Sequence, residues 1–112
     1  MDLRGHLDLL LLAALARTGP THEYALISAL RDGSDGTFDL PEGTVYPALH
    51  RLERDGCVTS RWSSEGPRRR RVYELTAVGR TALAAKRREW RSFARAVELI
   101  QRPVTLAKAV AW

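Results

Sequence analysis

The chain has 112 residues, 45% of them hydrophobic and 28% charged, with 18 Lys and Arg against 13 Asp and Glu for a formal net charge of +5 and a pI of about 10.1. The apolar fraction excludes a disordered chain, and the length suits one domain with a modest core, to which an extra interface would add stability. The basic balance favours an anionic partner, either nucleic acid or an acidic membrane surface, and excludes neither.

Leu7, Leu9, Leu10, Leu11, Leu12 and Leu15, with alanines between them, predict a first helix that is apolar around much of its circumference and so buried on more than one side. The pattern over 7–15 is far short of the ~20 residues that cross a bilayer, and no secretory signal is evident. With one cysteine, Cys57, there is no internal disulfide. A reducing, cytoplasmic setting and a soluble chain without a membrane partner are the expectation.

Thr18-Gly19-Pro20 ends that helix, because glycine suits the C-terminal cap and proline cannot continue. Thr21 is the expected N-cap of a second helix carrying Tyr24, Leu26, Ile27 and Leu30. Residues 32–39 read as a solvated turn region pinned by Phe38 and Leu40. A third helix is expected from Gly43 or Thr44, which puts Pro47 in its first turn, where a missing N–H is harmless. Val45, Ala48, Leu49 and Leu52 follow i, i+3, i+4, i+7 and form its buried face, and Gly56 ends it.

Residues 58–62 and 72–75 read as two short strands, with Ser63-Ser64-Glu65-Gly66-Pro67 turning between them. Thr76 caps the longest helix, roughly 77–101, which Pro103 stops; residues 105–112 can form a short further helix. The resulting fold class is mainly α with a small β-hairpin. Its parts are a winged helix-turn-helix head over 1–76, a long dimerisation helix over 77–102 and a short tail over 103–112.

With one face of the third helix buried, Gly43, Thr44, Tyr46, Pro47, His50 and Arg54 lie toward the other, and Arg51 sits at the boundary. A helix fits the major groove of B-form DNA, where hydroxyl, imidazole and guanidinium groups meet base edges or phosphates. Arg54, near the C-terminal end, suits phosphate. A merely solvated polar face is the competing reading, and Tyr46 could pack its ring on the core. In the turn, Arg68, Arg69, Arg70 and Arg71 repel one another until a counter-charge arrives, and a phosphate backbone supplies one. A solubilising charge run is the alternative. Strand alternation puts Arg71 in phase with Tyr73 and Leu75, so that its stem turns inward.

These segments carry a resemblance. The chain resembles PadR-type winged-helix transcriptional regulators through Leu7-Asp8-Leu9-Leu10-Leu11-Leu12, Gly19-Pro20-Thr21-His22-Glu23-Tyr24, the run from Gly43-Thr44-Val45-Tyr46-Pro47-Ala48-Leu49 to Asp55-Gly56, Gly66-Pro67-Arg68-Arg69-Arg70, and Tyr73-Glu74-Leu75-Thr76. Glu23 stands where such proteins usually have glycine, and Cys57 where they usually have an aliphatic residue. The resemblance implies a dimeric repressor that binds operator DNA and releases it on meeting a ligand or other signal.

Leu83, Trp90 and Val97 recur every seven residues, and Phe93 and Ile100 add a second series, broken by Lys86 at the preceding position. Such a stripe calls for a partner helix, which makes these five the expected homodimer interface. Folding back on residues 7–15 of the same chain is the alternative. A two-fold dimer presents two recognition helices, so the expected DNA partner is a double-stranded inverted repeat. Trp90 offers a flat face to a small planar effector, with core packing as its competing role. His6, His22 and His50 are too scattered for a metal site. No nucleophile–base set or phosphate-cradling glycine loop appears, so neither an enzyme nor a cofactor is expected. Cys57 is read as a small buried hydrophobe or a thiol sensor. A winged-helix module that binds protein without binding DNA is the remaining alternative for the whole chain.

Overall fold

A computed structural model describes residues 6–103. Four helices, α1 (Leu7–Thr18), α2 (Glu23–Gly33), α3 (Glu42–Arg54) and α4 (Ala77–Gln101), surround a sheet of β1 (Thr21–His22), β2 (Val58–Ser63) and β3 (Arg70–Leu75). The strand order is β1-β3-β2, antiparallel throughout, with Thr21 opposite Tyr73, Val58 opposite Leu75 and Ser63 opposite Arg70. The expected helical segment 105–112 lies outside the described residues.

The core is the one that periodicity selects. Leu11, Leu12, Leu15, Leu26, Val45, Leu49 and Val58 are almost wholly buried, and Ala48, Leu52 and Tyr73 join them. Helix α1 packs against α2, α3, α4 and β3, which is why leucine occupies so much of its circumference. Gly19 closes it at φ 75°, a conformation that favours glycine, and its N–H reaches the Leu15 carbonyl at 2.9 Å. Ser34 ends α2 by donating from Oγ to the Leu30 carbonyl at 2.7 Å and accepting the Phe38 N–H at 2.9 Å. Leu40 is buried and Phe38 half-buried, so the turn region is pinned as its two apolar residues suggested.

Several expectations change. The hairpin is a three-stranded sheet, because Thr21 is extended and pairs with Tyr73. Thr21 therefore does not cap α2; His22 does, its Nδ1 accepting the Ala25 N–H at 3.3 Å. Helix α2 runs on to Gly33 before the loop begins. Helix α3 begins at Glu42 with Pro41 as N-cap, earlier than Gly43 or Thr44. Pro47 thus stands in the second turn, where its missing N–H leaves the exposed Gly43 carbonyl without an i+4 partner. The strands extend beyond their apolar stretches, β2 to Ser63 and β3 back to Arg70, since register and not hydrophobicity governs the outer pairs.

The junction of head and long helix is tightly built. Thr76 Oγ1 accepts the Gly79 N–H at 3.0 Å and donates to the Gly56 carbonyl at 2.6 Å. The Cys57 carbonyl accepts the Thr76 N–H at 3.1 Å. Cys57 is half-buried and packs against the core. A Cβ on Gly79 would lie 2.0 Å from the Cys57 carbonyl oxygen, so only glycine lets α4 approach this backbone. Leu83, one turn on, is 3% exposed within the head's own core. It is therefore not a partner-facing residue: the first turns of α4 still lie over α1, and the stripe becomes free only farther along. Beyond it α4 projects, giving extents of 69 × 28 × 21 Å.

Gly79→Ala is expected to destabilise the fold by about 3 kcal/mol or more, since backbone must move to admit one methyl. Urea denaturation measures this. Ser92→Ala, at an exposed position of the same helix, is the control and should be neutral or slightly stabilising.

Candidate nucleic-acid interface

Helix α3, the start of α2 and the β2–β3 hairpin enclose a cleft of about 470 Å³. Tyr46 and His50 form its α3 wall, with ring centroids 5.3 Å apart. Arg68, Arg69, Arg70 and Arg71 form the opposite wall, and Tyr73 lies at the buried base. Tyr46 is 46% exposed, which rules out the reading in which its ring is sunk in the core. Burial is the main cause that raises the pKa of the Tyr73 hydroxyl, followed by the nearby Tyr46.

The four arginines differ as strand phase predicts. Arg71 is half-buried and donates from Nε to Ser60 Oγ at 2.9 Å. Ser60 in turn donates to Glu53 of α3, whose carboxylate lies 3.9 Å from Arg71 Nη2. This chain joins β3, β2 and α3, so Arg71 is largely neutralised within the protein. Arg68, Arg69 and Arg70 are exposed. Arg69 places its guanidinium 4.8 Å from the Trp62 ring centroid, with Arg71 at 5.2 Å from the same ring. Such stacking holds a cationic hairpin in shape without removing its charge.

Of the residues singled out from sequence, Tyr46, His50, Arg68, Arg69 and Arg70 meet in this cleft. Thr44, Pro47 and Arg54 are exposed on α3 outside the cleft lining. Arg51 is different: its Nη2 donates to Asp8 of α1, so it fastens α3 to the first helix. Arg51, counted from its boundary position among the candidate DNA contacts, instead makes its contact within the chain, with a carboxylate forty-three residues away. Sequence reasoning passed over His22, Tyr24, Glu42 and Trp62. Trp62, an unburied tryptophan between polar residues of a short strand, carried the one available signal.

Glu23, the first residue of α2, lines the cleft, and Glu42, the first residue of α3, lies near it. Tyr24 donates from its hydroxyl to Glu42 Oε2 at 3.1 Å. Glu23 carries a buried Oε1 without a hydrogen-bond partner among the described residues. Burial, and then the Glu42 charge, raise the Glu23 carboxyl above its ordinary pKa. A raised value means that the folded state holds this proton more tightly than the unfolded chain does. Its stabilising contribution is present at acid pH and is lost as pH rises through the folded value. Glu23→Gln should therefore melt higher than the parent at about pH 7 and converge with it below about pH 4. Calorimetric scans across that range check the sign, and a difference independent of pH would contradict it.

A second, smaller recess of about 190 Å³ lies where α4 passes α1, lined by His6, Leu9, Lys86, Glu89, Trp90 and Phe93. Trp90 meets His6 edge-on at 5.4 Å and Phe93 at 6.0 Å. Trp90 therefore has contacts within its own chain while remaining 39% exposed; Phe93 is 58% and Ile100 86% exposed, and Val97 is half-buried. Among the described residues there is no cluster of His, Cys, Asp and Glu suited to a metal, and no helix long and apolar enough to cross a membrane.

Known proteins share this fold. The transcriptional regulator Rv3488 of Mycobacterium tuberculosis is 49% identical over 55 residues, which is 49% of this chain and 51% of that protein, so the match spans about half of the relative's length. A transcriptional regulator from Clostridium thermocellum superimposes with a TM-score of 0.81 at 27% identity, covering 89% of this chain and 97% of that one. A PadR family transcriptional regulator from Eggerthella lenta gives 0.76 at 30% identity, covering 89% and 86%. Residues 11–85, which include most of α1, the whole three-stranded sheet and the first turns of α4, match the PadR-like transcriptional regulator family, and the chain belongs to that family.

Proposed function

We propose that this transcriptional regulator binds duplex DNA as a homodimer and represses transcription until a signal releases it. One observation carries the reading: the exposed arginines of the hairpin face the outer side of α3 across a single cleft. In this reading α3 enters the major groove, with Thr44, Tyr46, Pro47 and His50 near base edges. Arg54 and the wing residues Arg68, Arg69 and Arg70 take phosphates. A groove-filling helix beside a cationic hairpin divides the labour as DNA-binding proteins commonly do: phosphate contacts set register and base contacts set sequence preference.

The distal half of α4 supports a paired molecule. Trp90, Phe93, Val97 and Ile100 continue an apolar series along α4 as it passes the end of α1 and leaves its own head, and Leu99 is half exposed beside them. Burying that stripe on a second α4 removes apolar area from water and orients two heads about a two-fold axis. The operator is then an inverted repeat with half-sites about 34 Å apart or a multiple of that. The recess beside Trp90 is the place where a small planar effector would meet the dimer seam and alter head spacing.

Replacing Arg68 and Arg69 with alanine should weaken binding to any duplex by about tenfold or more and reduce the slope of log affinity against log salt by about two per head. Fluorescence anisotropy on a random-sequence duplex reads both, and an unchanged slope would remove the wing from the mechanism. Thr44 and Tyr46 variants should instead shift preference among sequences by about 1–3 kcal/mol per contacted base pair.

For the dimer, Phe93→Glu combined with Ile100→Glu is expected to give a folded monomer in sedimentation equilibrium, against a dimeric parent. The same dimeric mass in both would place the interface elsewhere.

A further inference from the structure

His22 makes two contacts, one through each ring nitrogen. Nδ1 accepts the Ala25 N–H at 3.3 Å and thereby caps α2. That nitrogen holds a lone pair, so in the neutral ring the proton is on Nε2. Nε2 lies 2.9 Å from Arg70 Nη1. Arginine has donors only. In the tautomer that keeps the cap, two N–H groups from separate elements, β1 and β3, meet at hydrogen-bond distance, and neither accepts from the other. The opposite tautomer would accept from Arg70 but give up the α2 cap, and a doubly protonated ring would add charge repulsion.

The surroundings leave the pair accessible. Arg70 is exposed and, unlike Arg71, has no carboxylate ion-pair partner among the described residues. His22, Arg68 and Arg70 line both the 470 Å³ cleft beside α3 and a second recess of about 350 Å³ on the outer side of the hairpin. They form the ridge between the two. An oxyanion resting on that ridge accepts from both donors at once, keeps the cap intact and supplies the counter-charge that Arg70 lacks.

We propose that His22 and Arg70 form a two-donor clamp on one phosphodiester oxyanion of duplex DNA, tying the start of α2 to the wing. This deepens the DNA-binding reading and rests on it. Arg70 supplies charge, and His22, held in place by its cap, supplies direction.

The test measures binding of the full chain to a random-sequence duplex by anisotropy across a salt series at mildly alkaline pH. His22→Asn keeps a side-chain oxygen able to cap α2 and withdraws the distal N–H. It should weaken binding about fivefold with the salt slope unchanged, since an uncharged ring displaces no counterion. Arg70→Gln should weaken binding about tenfold and lower the slope by about one per head. Because the two share one phosphate, the double variant should lose less than the product of the single losses, whereas His22→Asn with Arg54→Ala should lose the full product. Unchanged affinity in His22→Asn, or multiplicative losses in the His22 and Arg70 double variant, overturns the clamp. Should His22→Asn melt lower than the parent, the ¹⁵N resonance of His22 Nε2 in the unaltered protein replaces it: a shift on adding duplex supports the clamp, and no shift overturns it. In every case Arg69→Ala separates the two levels. If it still weakens binding, DNA recognition stands and only the clamp falls; if the parent ignores duplex altogether, both fall.

Discussion

The approach of Gly79 to the Cys57 carbonyl sets the position of nearly everything else. At that point the end of α3, the first residue before β2 and the first turn of α4 are held within hydrogen-bond distance through Thr76, Gly56 and Cys57. A side chain on residue 79 would collide with backbone, so the contact exists only because glycine is there. Its consequence is long-ranged. The direction in which α4 leaves the head is fixed relative to α3.

A second constraint acts inside the cleft. Cationic side chains on a short hairpin would splay under mutual repulsion, and the protein counters this in two ways. Arg71 is drawn into a chain through Ser60 to Glu53, which anchors the hairpin to α3. Trp62 provides a flat surface for Arg69 and Arg71, so the charge is ordered while remaining exposed. The wing is thus stiffened by neutralising one arginine and stacking another, while Arg68, Arg69 and Arg70 stay exposed. Glu23, the first residue of α2, and Glu42, the first of α3, bring negative charge to the far side of the cleft from the hairpin.

Most of the architecture could be read from residue order, because helices and strands announce themselves through local spacing. The apolar faces of α1 and α3, the Gly19 and Thr76 boundaries, the inward phase of Arg71 and the outward Tyr46 and His50 all follow from periods of 3.6 or 2. What escaped has a common cause. Thr21 looked like a cap but is a strand residue, since its partner Tyr73 is fifty-two positions away and no local signal records that pairing. Leu83 looked like the first residue of a partner-facing stripe but belongs to the head, because the heptad pattern does not tell where a helix stops overlying its own core. Arg51 looked free on the helix boundary and is tied to Asp8.

The amino-acid order by itself determined the element types, the buried faces, the cationic hairpin and the resemblance to PadR-type regulators, all of which depend on neighbours a few positions apart. Only the tertiary structure decided which arginine is neutralised, that His22 caps α2 while touching Arg70, and how far α4 stays on its own head. Those outcomes depend on distances between segments remote in the chain. Such distances emerge only once the core has packed, because close-packed side chains leave each exposed group few positions to occupy.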